Sequence, residues 1–338
     1  MRTVKGTPKH LSSGGELAGF TYLMLNLEFG CNYRCRKCFN LEDGRPPLPK
    51  EPVSPEKRLG LIAEAKELGG KVVVIAGEGE PTLDRNIKSI VGEAGNLDMI
   101  PIVYSNGSTL SPQWIEFYRD SGAVLVVSLD SLNPATYDYL TRTSGMLPDV
   151  LGNLENLRDA YRGTKETCGD MEVLRLAVNT TINSHNLNEA QKIKERFRDD
   201  FYFICNPLAK SGNAKRRWNE LVSDKKDYQK QQELARDLSE SGGPLTLGAD
   251  GLCGYSRWGI SVSTSGYYMT CAYTSKTNGL LGHVASENLG EAFERKHGFE
   301  GQHYERYGNA PCLMRMPSFG EYVWALKNDV SPQFYKFM

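Results

Sequence analysis

A chain of 338 residues, 40% of them hydrophobic, is long enough for one large domain and a smaller one. Forty Lys and Arg against 41 Asp and Glu leave a formal charge of −1, which argues against broad electrostatic binding to nucleic acid or to an anionic membrane. With no apolar h-region after Met1 and no run of transmembrane length, a cytoplasmic protein is expected, and its eight Cys read as metal ligands and thiols rather than a disulfide framework.

Residues 1–20 are polar and form a lead-in. An apolar run, Tyr22 to Phe29, predicts a strand that ends in a cysteine-rich loop, Cys31-Asn32-Tyr33-Arg34-Cys35-Arg36-Lys37-Cys38-Phe39. Residues 41–54 hold four prolines and form a connection. From Pro55 apolar residues recur near helical spacing until Gly69-Gly70, and Lys71 to Ala76 is a buried strand. The alternation repeats: helix 84–95 and strand 99–104, helix 111–121 and strand 123–129, helix 148–162 and strand 173–182, helix 186–198 and strand 201–205. Six strands alternating with helices predict parallel βαβ units curled into a partial or full barrel, with ligands at the carboxyl ends of the strands. A further exposed helix over 224–241 closes the barrel, and Gly242-Gly243-Pro244 marks a linker.

Three thiols at the spacing C-x3-C-x2-C suit an iron–sulfur cluster or zinc. Either metal centre normally takes four ligands, so three local Cys leave one position open. The loop resembles the signature of the radical S-adenosylmethionine (SAM) enzymes, down to Tyr33 within it and Phe39 after it. The resemblance implies an α/β fold, a partial (βα)6 TIM-like barrel over residues 21–242. It implies that Cys31, Cys35 and Cys38 hold a [4Fe–4S] cluster whose open iron binds SAM. A structural zinc knuckle is the alternative.

The strand ends carry further likenesses to that family. Gly77-Glu78-Gly79-Glu80-Pro81 resembles its Gly-Gly-Glu-Pro element, although Glu78 replaces a usual Gly; the resemblance gives Gly79 and Glu80 the SAM amino group. A helix start decorated with acids is the other reading. Ser105-Asn106-Gly107 resembles the family's Thr-Asn-Gly and adds Asn106. Ser128 and Asp130 alternate on one face of their strand and, with Asn179, match polar contacts to the SAM carboxylate and ribose.

Cys205, at the end of the sixth strand, is expected near the barrel mouth as a hydrogen-atom donor, a ligand or a buried apolar residue. The four cations of Lys210 to Arg217 either bind a phosphate or carboxylate of the substrate or start a solvated helix. Cys168 falls in a polar turn and reads as incidental.

Beyond the linker, residues 258–263 alternate like a strand, Gly266 offers a turn and residues 267–271 return as a hairpin. Cys253-x12-Gly266-x4-Cys271 resembles the opening of the auxiliary-cluster domains called SPASM or twitch. That implies an α+β domain over 243–338 holding a second [4Fe–4S] cluster on Cys253, Cys271 and Cys312. His283, His297 and His303 lack metal-ligand spacing and read as surface or packing residues.

These likenesses together imply a radical SAM oxidoreductase or synthase with two clusters, reduced by a flavodoxin or ferredoxin. It would act on a small-molecule substrate by dehydrogenation or carbon–carbon bond formation. Peptide cross-linking or epimerisation, with Cys205 returning the hydrogen, is the alternative reaction. A zinc-binding interaction module is the alternative from another class.

Overall fold

The computed structural model describes residues 20–27, 30–40, 53–168, 171–238, 259–270 and 281–307. Runs of Val, Ile and Leu make the strands, which are β1 (Tyr22–Leu27), β2 (Val72–Gly77), β3 (Ile100–Ser105) and β4 (Val124–Ser128). A short antiparallel pair follows, β5 (Glu166–Cys168) and β6 (Met171–Val173), then β7 (Leu176–Ile182) and β8 (Tyr202–Pro207). Strands β1, β2, β3, β4, β7 and β8 lie side by side in that order and are all parallel. This is the expected α/β architecture, a partial barrel of six βα units.

The connections are α1 (Pro55–Glu67), α2 (Ile87–Asn96), α3 (Pro112–Asp120), α4 (Pro134–Thr141), α5 (Leu147–Tyr161) and α6 (Ala190–Phe197). After β8 come α7 (Gly212–Arg216), α8 (Trp218–Leu221) and α9 (Lys225–Leu238). Local chemistry sets several starts. Ser54 caps α1 by accepting from the Lys57 N–H at 3.2 Å, and Asn133 caps α4 by accepting from that of Thr136 at 3.1 Å, each with Pro at the first helical position.

The period of two along each strand divides the core into two layers. Leu23, Leu25, Val73, Ile75, Val103, Leu125, Val127, Val178 and Phe203 point outward and pack under the helices. Met24, Val74, Ala76, Ile102, Val126, Ala177 and Ile204 point inward and fill the barrel. Continued to the carboxyl ends of the strands, the inward positions become Glu78, Ser128, Asp130, Asn179, Thr181 and Asn206. The polar residues at the strand ends are thus the top of an otherwise apolar inner face.

Several expectations need correction. The segment 81–83 is a short 3-10 turn, so the helix expected over 84–95 begins at Ile87. The strand expected from 173 begins at Leu176, because 166–173 forms its own hairpin; Cys168 lies in β5 rather than in a turn. Helix α9, expected to be exposed, buries Gln231, Ala235 and Leu238.

The C-terminal hairpin joins the main sheet. Strand β9 (Gly259–Val262) adds in parallel to the free edge of β1, and β10 (Tyr268–Met269) pairs antiparallel with β9. Asn26 fixes the junction, donating from Nδ2 to the Val262 carbonyl at 3.0 Å and to Ser261 Oγ at 3.2 Å. Helix α10 (Leu289–Tyr307) follows, and its fully buried Lys296 donates to the Gly259 carbonyl at 2.6 Å. His283 bonds the Ser265 carbonyl, and the His297 ring packs tilted against Phe293 with centroids 4.2 Å apart, which agrees with packing roles. Among the described residues no helix is long and apolar enough to cross a membrane.

Candidate active site

One cavity opens at the carboxyl ends of the parallel strands. The loop after β1 supplies Cys31, Tyr33, Cys35, Lys37, Cys38, Phe39 and Asn40 to its wall; the ends of β2, β3, β4, β7 and β8 supply most of the rest, with Met24 from β1 and Tyr137 and Thr141 from α4. Gly79, Glu80, Asn106, Ser128, Asp130 and Asn179 all line it, so these expected positions converge on one space.

The three thiols are half-buried. Burial pushes the Cys31 thiol up to about 11, helped by the nearby Glu80 carboxylate and Cys38 and opposed by the Tyr33 N–H, which donates to Cys31 Sγ at 3.4 Å. Burial also holds Cys35 well above the usual thiol range. Such thiols are neutral until a cation stabilises their thiolates. Among the described residues no three His, Cys, Asp or Glu side chains are close enough to hold a single metal ion. A cubane spreads its sulfur ligands more widely than one tetrahedral zinc does, so the donor set fits an iron–sulfur cluster better than a zinc knuckle.

Glu80 is a buried, closely held carboxylate of the cavity. It accepts from the Thr82 hydroxyl at 2.7 Å, the Ser105 hydroxyl at 2.7 Å, the Asn106 N–H at 2.7 Å and the Thr82 N–H at 3.3 Å. Burial raises its pKa and these donors lower it, burial having the larger effect. None of its partners among the described residues is a cation. A buried carboxylate facing a cavity with only neutral donors fits a ligand ammonium. Asn106 links this carboxylate to the cysteine loop: its Nδ2 donates to Asn32 Oδ1 at 2.8 Å and lies 3.9 Å from Cys31 Sγ.

Across the cavity Ser128 sits level with Asn179 on neighbouring strands, and Asn206 Nδ2 donates to Asn179 Oδ1 at 2.8 Å. Asp130 is taken up by the protein itself. It pairs with Lys37 Nζ at 2.5 Å and accepts from the Thr181 N–H at 2.9 Å, with the two side chains 2% and 11% exposed respectively. Lys37 Nζ also donates to Thr181 Oγ1 at 3.2 Å. The sequence reading missed Lys37, because a cation inside a loop looks solvated; only its position two residues after Cys35 hinted at the cavity.

Glu78, the departure from the Gly-Gly-Glu-Pro pattern, has its own structural use. It is buried and accepts from the Thr264 hydroxyl at 2.5 Å and the Thr264 N–H at 3.2 Å, tying the hairpin turn to the end of β2.

In two cases the structure agrees with the packing or solvated alternative rather than the functional one. Cys205 does not reach the cavity: it shares the outward face of β8 with Phe203, under the helices, and burial pushes its thiol up to about 12. Its neighbour Asn206 takes the inward place. The cations of Lys210 to Arg217 are also absent from the cavity wall. Cys253, Cys271 and Cys312 lie outside the described residues.

Comparison with known proteins agrees with this geometry. The pattern of the radical SAM superfamily matches residues 25–172. The chain is 29% identical over 162 residues to an S-adenosylmethionine-dependent nucleotide dehydratase of Flammeovirga pacifica, covering 47% of this chain and 52% of that one. It is 25% identical over 170 residues to an AdoMet-dependent heme synthase of Methanosarcina barkeri, covering 50% and 44%. It is 30% identical over 144 residues to a GTP 3′,8-cyclase of Tolumonas auensis, covering 42% of each. The chain thus spans about half the length of the curated relatives it matches. Among solved structures, Streptococcus suis SuiB bound to the precursor peptide SuiA superposes with a TM-score of 0.62 at 16% identity, over 93% of this chain and 74% of that one. Native anSMEcpe with bound AdoMet and Cp18Cys peptide gives 0.62 at 13% identity, over 91% and 96%. Those two likenesses are of fold. The matched residues run from within β1 through β4, the first four of the six parallel strands, and take in the three thiols on the cavity wall.

Proposed function

We propose that this chain is a radical SAM enzyme acting on a small, nucleotide-like or sugar-like molecule, with help from a second cluster in its C-terminal part. The observation that supports the reading best is the convergence of Cys31, Cys35 and Cys38 with the buried Glu80 carboxylate on one cavity. When bound, the [4Fe–4S] cluster and SAM supply reductive cleavage of SAM to methionine and a 5′-deoxyadenosyl radical, which takes a hydrogen atom from the substrate.

The chain's own residues bind, orient and shield. Cys31, Cys35 and Cys38 would hold the cluster as thiolates. Glu80, held by four neutral donors, would accept from the SAM ammonium, with Gly79 allowing close backbone approach. Asn106, Ser128 and Asn179 offer hydrogen-bonding groups to the carboxylate and ribose. Tyr33 and Phe39 form apolar wall beside the cysteines, which excludes water. Asp130 serves by holding Lys37 in place, so that a cation stands on the cavity wall close to the cysteine loop.

Two of the relatives named above are a nucleotide dehydratase and a GTP cyclase, which favours a nucleotide-like substrate over a peptide. The peptide reading also loses its hydrogen donor, since Cys205 faces away from the cavity.

The test is chemical. Anaerobically reconstituted protein, reduced with dithionite and given SAM, is expected to release 5′-deoxyadenosine. Cys31→Ala is expected to abolish this, a loss of at least about a thousandfold if the open iron is the seat of cleavage. A parent protein that binds iron yet yields no 5′-deoxyadenosine would sink the reading.

A further inference from the structure

Glu78 stands where the strand ladder has stopped. Strand β2 pairs with β1 as far as Gly77 and with β3 as far as Ile75. Glu78, Gly79 and Glu80 then lead from the sheet to the cavity, and all of them line it. Side-chain hydrogen bonds hold this segment where ladder bonds have ended. Ser105 and Asn106 hold Glu80 from the β3 side. Thr264 holds Glu78 from the opposite direction, through its hydroxyl and its N–H; it follows β9, on the far side of β1. Gly79, between the two anchors, has no side chain to add a third.

Thr264 is itself a fixed point. It is buried, and its carbonyl accepts from the Val53 N–H at 3.2 Å, just ahead of α1. Its turn closes on Ser263, whose carbonyl accepts from the Gly266 N–H at 3.0 Å and whose hydroxyl accepts from the Tyr267 N–H at 2.9 Å. Gly266 adopts φ +87°, and a Cβ there would lie 2.8 Å from His283 Nε2 and from Val284 Cγ2, so the turn packs directly on residues 283–284. A buried carboxylate is costly without donors, and Glu78 takes two from a residue 186 positions away in the chain. Thr264 does not line the cavity.

We propose that Glu78 is a positioning residue, through which the C-terminal hairpin sets how tightly the cavity holds SAM. The proposal rests on the reading of Glu80 as the acceptor of the SAM ammonium. Thr264 fixes Glu78, Glu78 fixes the backbone that carries Gly79 and Glu80, and Glu80 then meets an ammonium without first having to be ordered. With the Thr264 bonds weakened, part of the binding free energy goes into ordering this segment. The linkage is reciprocal, so SAM steadies the hairpin as much as the hairpin steadies the SAM site. The rival account is that Glu78 acts by charge alone, attracting a cationic ligand through the cavity.

Binding and hydrogen exchange separate the two accounts without turnover. The reconstituted full chain, with no reductant present, is dialysed against radiolabelled SAM. Thr264→Val keeps the side-chain shape, the cavity wall and the Glu78 charge, and removes only the hydroxyl donor. It is expected to weaken SAM binding about fivefold. Thr264→Ser returns the hydroxyl and is expected to bind within about twofold of the parent. Without SAM, Thr264→Val is expected to quicken exchange over residues 78–80 about threefold or more. Saturating SAM is expected to slow exchange over residues 259–270 in the parent, and to slow it less in Thr264→Val. Parent-like SAM affinity in Thr264→Val, a Thr264→Ser protein as weak as Thr264→Val, or exchange over 259–270 that ignores SAM would overturn the proposal. Should Thr264→Val fail to fold, Glu78→Gln is expected to quicken exchange over the same three residues, and parent-like exchange there would overturn it equally. A parent chain that binds no SAM would strike the reading of Glu80 instead, and exchange over 78–80 in ligand-free protein would still decide whether Thr264 positions this segment.

Discussion

Cys205 shows how a single register position decides a role. Strand alternation puts it on the face shared with Phe203, while Asn206 turns inward to Asn179. Burial raises its thiol to about 12, with Lys194 opposing and Asp130 adding to the effect. The folded value exceeds the ordinary value of about 8.5 for an unfolded chain. The thiol therefore favours the folded state fully below the unfolded value, and that contribution is lost as pH rises through the folded one. A thiol reagent at about pH 8 is expected to miss Cys205 in the native protein and to label it after denaturation, as peptide mapping would register. Cys205→Ser is expected to cost about 1–3 kcal/mol in urea unfolding, by burying a hydroxyl among apolar neighbours, while leaving 5′-deoxyadenosine release intact. At this scale the cysteine spacing and the polar strand ends were legible, since both are local patterns. Lys37 and Glu78 were not, because their partners Asp130 and Thr264 are distant in sequence.

The parallel strands were legible as elements because each is a short apolar run bounded by Gly or by a helix start. Two pieces escaped that logic. Helix α4 spans only eight residues, too few for a helical period to declare itself, though Asn133-Pro134 marks its start. The β5–β6 hairpin is short and lies in a polar stretch that reads as a turn. The C-terminal hairpin was legible as a hairpin but not as an extension of β1. Its attachment depends on close backbone approach at Gly259, where an added Cβ would lie 2.3 Å from the Tyr22 carbonyl oxygen. Gly259→Ala is expected to destabilise this junction by about 1–3 kcal/mol, through forced backbone displacement. Hydrogen exchange should then quicken over residues 259–270 and leave β3 and β4 unchanged. Equal protection in parent and variant would mean that β9 does not depend on this contact.

For the whole molecule, the division into a barrel and a cluster-bearing C-terminal part remains a proposal on the likeness of Cys253 and Cys271 to auxiliary-cluster domains. Metal content tests it: two [4Fe–4S] clusters give about eight irons and about eight sulfides per chain. Replacing Cys253, Cys271 and Cys312 by Ala is expected to halve both and to spare SAM cleavage, by iron assay and 5′-deoxyadenosine release. A parent chain with about four irons would remove the second cluster. The overall architecture was readable because alternating helix and strand patterns admit few topologies. The pairing of β9 with β1 was not, since it joins opposite ends of the chain, and no local pattern encodes a neighbour so remote. That pairing also orders events during synthesis. The first strand leaves the ribosome early, yet one row of its backbone donors and acceptors stays unmatched until residue 262 has been translated. Over that interval the nascent barrel exposes an adhesive margin, the kind of surface that chaperones shield.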